Sequence, residues 1–292
     1  ANYRGKEVCN IFTLWDYNLK HGGPPVFNKL NVESWRRRTH NLCKEPILIN
    51  DDNVKEWIPD MPDEYFRMPA KAAKSDLIRY ALLYHHGGLY MDADFIAIQD
   101  FEPIVGLLGD YELVSYSDKA PEGQQCDHGF SSNLLGGKKG SRIHKAIWEA
   151  QKAKMATPCA RTRSTDQDEV CCPKDSKRMC NVPWAGIGEG VSHKVLDQLL
   201  LQGEVFDTFC FADDFTFVPE HFAYALEHIP SKTAAVKYME DKGIQHPMDR
   251  IVYHMFNAIT GWSKMKCWPL FNPRTFVGWM YNASFATNER GR

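Results

Sequence analysis

Ala72–Pro103 reads AAKSDLIRYALLYHHGGLYMDADFIAIQDFEP, and the order of elements within it decides the fold. Ala73, Leu77, Tyr80, Ala81 and Tyr84 recur at spacings of three and four, which predicts a helix from Pro69 to His86 with one buried stripe. Gly87-Gly88 ends it, because glycine accepts the left-handed backbone that a helix C-terminus needs. Leu89 to Met91 then reads as a short strand, and Phe95 to Ile98 as further extended chain. Asp92 and Asp94 fall between them. In an extended chain, residues two apart leave on the same face, so these carboxylates are expected side by side at a strand end. Paired hard oxygen ligands suit Mn²⁺ or Mg²⁺, either of which also holds a diphosphate. Without a cation the two acids would raise one another's pKa. Asp76 and Arg79 share a face of the preceding helix at i,i+3. That spacing allows a surface ion pair of about 0.2–0.5 kcal/mol. Because the two flank the buried stripe, they could instead point at the C-terminal edge of the sheet, where open α/β sheets bind ligands.

Upstream, Val8 to Leu14 (VCNIFTL) reads as a buried strand ending at Trp15-Asp16. Gly22-Gly23-Pro24-Pro25 breaks the chain. Val26 to Leu42 then reads as a helix with Phe27, Leu30, Trp35 and Leu42 on its buried face, and Pro46 to Ile49 as a second strand. Strand, helix, strand within about 50 residues begins an α/β architecture. Downstream, Glu112 to Ser115, Ser132 to Leu135 and Thr216 to Val218 are expected strands, and Ser141 to Lys154 and Val191 to Leu201 expected helices. The polar, cysteine-rich stretch 156–183 has no period and reads as an insertion held by disulfides. The whole chain, 1–292, is expected to be one α/β domain with an irregular C-terminal part.

Composition narrows the class. With 35 Lys+Arg against 37 Asp+Glu the net charge is −2, which argues against a nucleic-acid binder working through a basic surface. Aromatic residues at 12% supply a core, so disorder is excluded. No apolar run approaches the roughly 20 residues of a membrane span. Ala1 in place of Met suggests a removed signal or anchor, or a trimmed start. Of nine cysteines, four lie between Cys159 and Cys180, and no CxxC pair occurs. Disulfides in an oxidising lumen are favoured over free thiols or a zinc knuckle, with at least one cysteine left over. Asn282-Ala283-Ser284 is an N-glycosylation acceptor pattern and points to the same secretory compartment. No Gly-x-Ser-x-Gly elbow and no phosphate-binding P-loop is present. Arg36-Arg37-Arg38 reads as a solvated helix face or a contact for an anionic acceptor. His85-His86 reads as an exposed helix end, its charge favoured by the dipole.

The run from Ala72 to Pro103 resembles the sugar-binding DXD region of glycosyltransferase family 32. That group includes yeast initiating mannosyltransferases and vertebrate α1,4-galactosyl- and N-acetylglucosaminyltransferases, and the glucosylating toxins of clostridia share the pattern. The shared features are Ser75-Asp76-Leu77-Ile78-Arg79-Tyr80 followed by Gly87-Gly88-Leu89-Tyr90-Met91-Asp92-Ala93-Asp94. The resemblance implies a GT-A-like fold, a Rossmann-like mixed sheet flanked by helices. It places Trp15 near the nucleotide base, Asn133 of Ser132-Asn133-Leu134-Leu135-Gly136 at the donor sugar, and His254 of Tyr253-His254-Met255-Phe256-Asn257 in the cation site. Gly261-Trp262-Ser263 departs from the family's Ser-Trp, and Gly186-Ile187-Gly188-Glu189-Gly190 lacks the family's Pro.

The implied chemistry is retaining transfer of a sugar from a nucleotide diphosphate donor, UDP slightly favoured over GDP, to a hydroxyl of a glycan or glycoconjugate. Mn²⁺ or Mg²⁺ would be held by Asp94 and His254, with Asp92 bridging metal or ribose. Asp76 would bond donor hydroxyls and Arg79 would balance charge, so that Asp76, Arg79, Asp92 and Asp94 form the catalytic set. No enzymatic nucleophile stands out, and a same-face route needs none. Glu189 and Asp213-Asp214 would shape the acceptor side or be solvated loop acids. A lumenal enzyme of the Golgi, or a secreted one, is expected. The alternatives are a nucleotide-sugar hydrolase and a non-catalytic sugar-binding relative.

Overall fold

A computed structural model of the chain describes residues 9–17, 23–39, 42–117, 125–126, 129–159, 170–183, 185–212, 237, 251–255, 272 and 276–286. The elements run β1 (Ile11–Leu14), α1 (Val26–Arg38), β2 (Ile47–Ile49), α2 (Val54–Trp57), a 3-10 turn (Asp63–Arg67), α3 (Lys71–His86), β3 (Gly88–Met91), β4 (Phe95–Ala97), α4 (Glu102–Val105), β5 (Leu113–Ser117), β6 (Leu134–Gly137), α5 (Arg142–Met155), α6 (Glu189–Leu201), β7 (Thr208–Ala212), β8 (Val252–His254) and α7 (Phe276–Phe285). Among the described residues, six strands form a sheet in the order β2-β1-β3-β6-β5-β7, while β4 and β8 pair separately. β1 runs parallel to β2 and β3, β6 is antiparallel to both its neighbours, and β5 is parallel to β7. The mixed α/β class expected from the sequence is the one observed.

Strand alternation builds two cores, one on each face of the sheet. Phe12, Leu14 and Tyr90 join α3, α5 and α6 residues such as Leu77, Ile147 and Leu196 on one side. Ile11, Leu89 and Met91 meet Trp35, Phe95 and Phe101 on the other. Both faces are covered, so β1 and β3 are apolar almost throughout. α3 is buried nearly all round from Ala73 to Leu83 and packs on β1, β3, β6 and α5. Gly87 ends it at φ +66°, and Gly88 lies so close to the Asn10 backbone that any Cβ would clash.

One expectation about the C-terminal half needs correction. The irregular C-terminal part contains a regular helix, α7, whose Val277, Met280, Tyr281 and Ser284 are buried at i, i+3, i+4 and i+7. β7 was not anticipated, and the strand expected at Thr216 to Val218 lies outside the described residues, as do Asp213-Asp214, Gly261-Trp262-Ser263 and Cys267. Arg38 also departs from a solvated face. Its guanidinium is buried and donates to the Ala283 and Ser284 carbonyls at 2.9 and 3.0 Å, satisfying carbonyls at the end of α7, whereas Arg36 and Arg37 pair with Glu33 at the surface. His85-His86 is likewise half-buried and engaged, with Asp60 and the Trp57 carbonyl respectively.

Disulfides join Cys9 to Cys43, Cys126 to Cys210, Cys159 to Cys171 and Cys172 to Cys180. The last two staple the insertion, as expected from its cysteines.

His144, in the first turn of α5, is fully buried and neither ring nitrogen has a hydrogen-bond partner. Burial pushes its pKa down to about 3, Glu112 opposing only weakly. The folded pKa lies below the unfolded value of 6.5, so the unfolded chain binds more protons between these limits. The contribution is therefore fully present above about pH 6.5 and is lost as pH falls toward 3. Urea unfolding should show a loss of about 2 kcal/mol at pH 5 relative to pH 7.5 from this group, and His144→Phe should flatten that slope. An unchanged slope would remove His144 from the acid response.

Candidate active site

The segment between β3 and β4 is a turn rather than extended chain, closed by the Phe95 N–H donating to the Asp92 carbonyl at 3.2 Å. The alternation argument for Asp92 and Asp94 therefore does not hold, yet their carboxylates still converge. The cause lies in four neighbouring elements.

α1 holds the turn from behind. The side-chain amides of Asn28 and Asn31 donate to the Ala93 carbonyl at 2.8 and 3.0 Å. Trp35 Nε1 donates to the Phe95 carbonyl at 2.8 Å, and Ser34 Oγ accepts from the Ala97 N–H at 2.9 Å. Tyr281 of α7 braces Asn31 with a 2.6 Å hydrogen bond. Each of these buried polar groups is matched to a backbone group that would otherwise go unsatisfied.

β8 brings in a histidine. Its antiparallel register with β4 sets Phe95 opposite His254, and the Met255 N–H donates to the Asp94 carbonyl at 2.8 Å. The His254 ring stacks on Phe95 with centroids 4.4 Å apart. Its Nε2 comes to 3.3 Å from Asp94 Oδ1, and one potential ligand atom from each of Asp92, Asp94 and His254 lies within 4.8 Å of the others.

β6 enters from the opposite direction. Because Met91 pairs with Leu134, the residues just before β6 meet those just after β3, and the Asp92 N–H donates to the Asn133 carbonyl at 2.9 Å. Asn133 thereby reaches His254, its Nδ2 lying 2.9 Å from Nδ1 of the ring.

α3 contributes Asp76 and Arg79, which point inward. The Arg79 guanidinium is 3% exposed and donates to Ser75 Oγ at 2.7 Å, to Asp76 at 2.8 Å, to Asp92 at 3.3 Å and to the Ser132 carbonyl and hydroxyl. The surface ion pair is thus replaced by a buried clamp joining α3, β3 and the entry to β6. Burial pushes the Asp76 carboxyl up to about 6, the Arg79 charge opposing while Asp92 and Glu189 add to the rise.

These groups open onto a cleft of about 430 Å³. Its lining carries five carboxylates, Asp16, Asp76, Asp92, Asp94 and Glu189, against the cations Lys71 and Arg79. That negative excess, with two carboxylates and an imidazole converging, is a donor set that fits Mn²⁺ or Mg²⁺. Trp15 is not part of the lining. Leu14, Asp16 and Tyr17 occupy that edge, and Trp15 packs edge-on against Tyr17 at 5.1 Å. Tyr17, missed in the sequence, donates to Asn28 Oδ1 at 3.0 Å, lies under the Lys71 ammonium, and has its pKa pushed up to about 12 by burial, with Asp94 and Asp16 adding.

The far wall is the end of the insertion, Val182, Pro183 and Ala185. Arg67 grips this loop by donating to the Pro173, Asp175 and Arg178 carbonyls, and the Arg67 carbonyl accepts from the Cys180 N–H at 3.0 Å. Gly188, just before α6, stands against Asp76. A Cβ there would lie 2.6 Å from the Asp76 carboxylate, so only glycine lets the start of α6 approach that acid.

Gly188→Ala should therefore displace the Asp76 carboxylate and weaken binding of a cleft ligand by about tenfold or more in a titration, with the circular dichroism spectrum unchanged. Arg79→Met should cost about 3–5 kcal/mol in urea unfolding, because it strands Asp76 and Asp92 beside no counter-charge.

The chain is similar in part to known proteins. Residues 26–107 match the family model described as "Glycosyltransferase sugar-binding region containing DXD motif". The glycosyltransferase afumC of Aspergillus fumigatus is 25% identical over 174 residues, covering 53% of this chain. The chain spans under half of that relative, 43% of its length. Among solved structures, the glycosyltransferase GlyE of Streptococcus pneumoniae aligns over 96% of this chain and 61% of its own, with 15% identity and a TM-score of 0.46. The galactosyltransferase LgtC, solved in complex with donor and acceptor sugar analogs, aligns over 96% and 98%, with 13% identity and a TM-score of 0.44. The residues that match this sugar-binding family model thus run from α1 through the Asp92–Asp94 turn to just beyond α4, and Asp92 and Asp94 of that stretch face the cleft.

Proposed function

We propose that the protein is a cation-dependent glycosyltransferase that moves a sugar from a nucleotide diphosphate donor to a hydroxyl of a glycan or glycoconjugate. The observation that carries the reading is the convergence of Asp92, Asp94 and His254 in the cleft of a matched DXD region. Asp92, Asp94 and His254 would hold the cation. When bound, a divalent cation offsets the charge that develops on the departing diphosphate. Asp76, facing the same cleft across Arg79, accepts hydrogen bonds from donor hydroxyls and so orients the sugar. Arg79 pairs with Asp76 and Asp92 and holds their carboxylates in place. The wall formed by Val182, Pro183, Ala185 and Glu189 lies where an acceptor would enter.

Retention at the anomeric carbon and the preference for UDP over GDP follow from the resemblance in the Asp76–Asp94 run. We place the protein in the secretory lumen or outside the cell. The four disulfides support that placement. No helix among the described residues is long and apolar enough to cross a membrane.

Incubation with radiolabelled UDP- and GDP-sugars, Mn²⁺ and a glycan acceptor panel should give a labelled glycoconjugate, and chelator should abolish it. Asp94→Asn should lower transfer at least 100-fold while leaving the unfolding midpoint within a few degrees. Full transfer in excess chelator would sink the cation assignment, and release of free sugar with every acceptor would make the protein a hydrolase.

A further inference from the structure

Asp92 and Asp94 each bring a carboxylate oxygen within 4.8 Å of the other. Like charges that close repel when no cation lies between them. Arg79 offsets part of that charge at Asp92, and the chain that carries the acids has to resist the rest. Its two ends are tied into strands: the Asp92 N–H donates to the Asn133 carbonyl at 2.9 Å, and the Met255 N–H to the Asp94 carbonyl at 2.8 Å. Between these ends, at Ala93, the tie comes from side chains of α1.

The acceptor fixes how those side chains are turned. A peptide carbonyl only accepts, so Asn28 and Asn31 each direct their amide nitrogen at Ala93, at 2.8 and 3.0 Å. Each Oδ1 then faces a hydroxyl and receives its proton, from Tyr17 at 3.0 Å for Asn28 and from Tyr281 at 2.6 Å for Asn31. The Phe27 carbonyl and the Met255 sulfur lie farther from the Tyr281 hydroxyl, at 3.3 and 3.7 Å. Asn28 and Asn31 are 2% and 0% exposed, so bulk water does not compete for these bonds. The cleft lining includes Asn28 and Ala93 but neither Asn31 nor Tyr281, which stand behind it.

We propose that Asn28 and Asn31 are positioning residues that hold the Asp92–Asp94 turn closed against the repulsion of its own acids, and that Tyr281 acts on the cleft through Asn31. This rests on the cation site proposed above. The acids are thereby brought together during folding, and the work of doing so is not subtracted from cation affinity. A turn freed from α1 lets them part, and a cation must then draw them back.

The test uses the full chain, with Mn²⁺ titration by calorimetry and, in metal-free protein, hydrogen exchange by NMR at the Phe95 N–H, the bond that closes the turn. Asn31→Leu should bind Mn²⁺ about tenfold more weakly and Tyr281→Phe about threefold. Both should quicken exchange at Phe95. Adding Tyr281→Phe to Asn31→Leu should cost nothing further, because the hydroxyl works through that amide. Adding Asp94→Asn to metal-free Asn31→Leu should slow the exchange again, since the repulsion is gone; a loss of packing alone would not be rescued in this way. Wild-type Mn²⁺ affinity in Asn31→Leu, or no rescue by Asp94→Asn, would overturn the proposal, and additive losses in the pair would overturn the role of Tyr281. Should Asn31→Leu fail to fold, Tyr281→Phe, which keeps the shape of the ring, decides by the same two readouts. A wild type that binds no Mn²⁺ would overturn the cation site, and the metal-free exchange then decides the positioning role by itself.

Discussion

A single buried guanidinium organises the centre of this molecule. Arg79 is enclosed between the main helix and the sheet, and it reaches three separate chain segments at once. A charge in that position is costly unless every donor is matched, and here the matches are Asp76, Asp92, Ser75 and Ser132. The arrangement ties the acids of the cleft to the fold. Because Arg79 neutralises part of the Asp76 and Asp92 charge from inside, the remaining negative excess is directed outward into the cleft. Structure and chemistry thus share one residue, which is why its loss would be felt as instability before it was felt as lost activity.

A second layer fixes the turn that bears the two aspartates. A turn between two short strands has few backbone bonds of its own, and α1 makes up the shortfall with Asn28, Asn31, Ser34 and Trp35. Tyr281 of α7 then locks Asn31. The cleft is therefore assembled from residues as far apart as Leu14 and His254, and its order depends on long-range packing rather than on the local DXD sequence.

Much of this was legible in the sequence. The stripe on α3, the Gly87-Gly88 stop and the apolar β1 and β3 each follow local rules of spacing, and they placed the carboxylates at the right edge of the sheet. Asp76, Arg79, Asp92, Asp94, Asn133 and His254 do meet in space. What local rules could not show was how they meet. The aspartates converge through a turn held from outside, not through strand alternation. α1 was read for apolar residues, with Leu30 on its inner face, yet Leu30 is only half-buried and the inner face carries Asn28, Asn31 and Ser34. Those three recur at a spacing of three on the buried side of a helix, a pattern that could have marked them as turn-holders. α7 escaped notice because its aromatic residues, glycine and asparagine are poor helix formers whose positions are decided by packing on α1. Trp15, expected beside the donor, stands next to the cleft lining rather than in it, where Leu14, Asp16 and Tyr17 are found.

The far side of the cleft has a different construction from the near side. The acids stand on the sheet and its central helix, where any change propagates through two cores. Val182, Pro183 and Ala185 stand instead just past a loop closed by its own crosslinks, which Arg67 holds by its carbonyls and whose Val170 reaches into the core. A loop whose shape is secured locally can be lengthened or rewritten without asking anything of the sheet. The wall opposite the acids could therefore be remodelled by edits to a stapled appendage, while the sheet and the central helix that carry the acids stayed as they are.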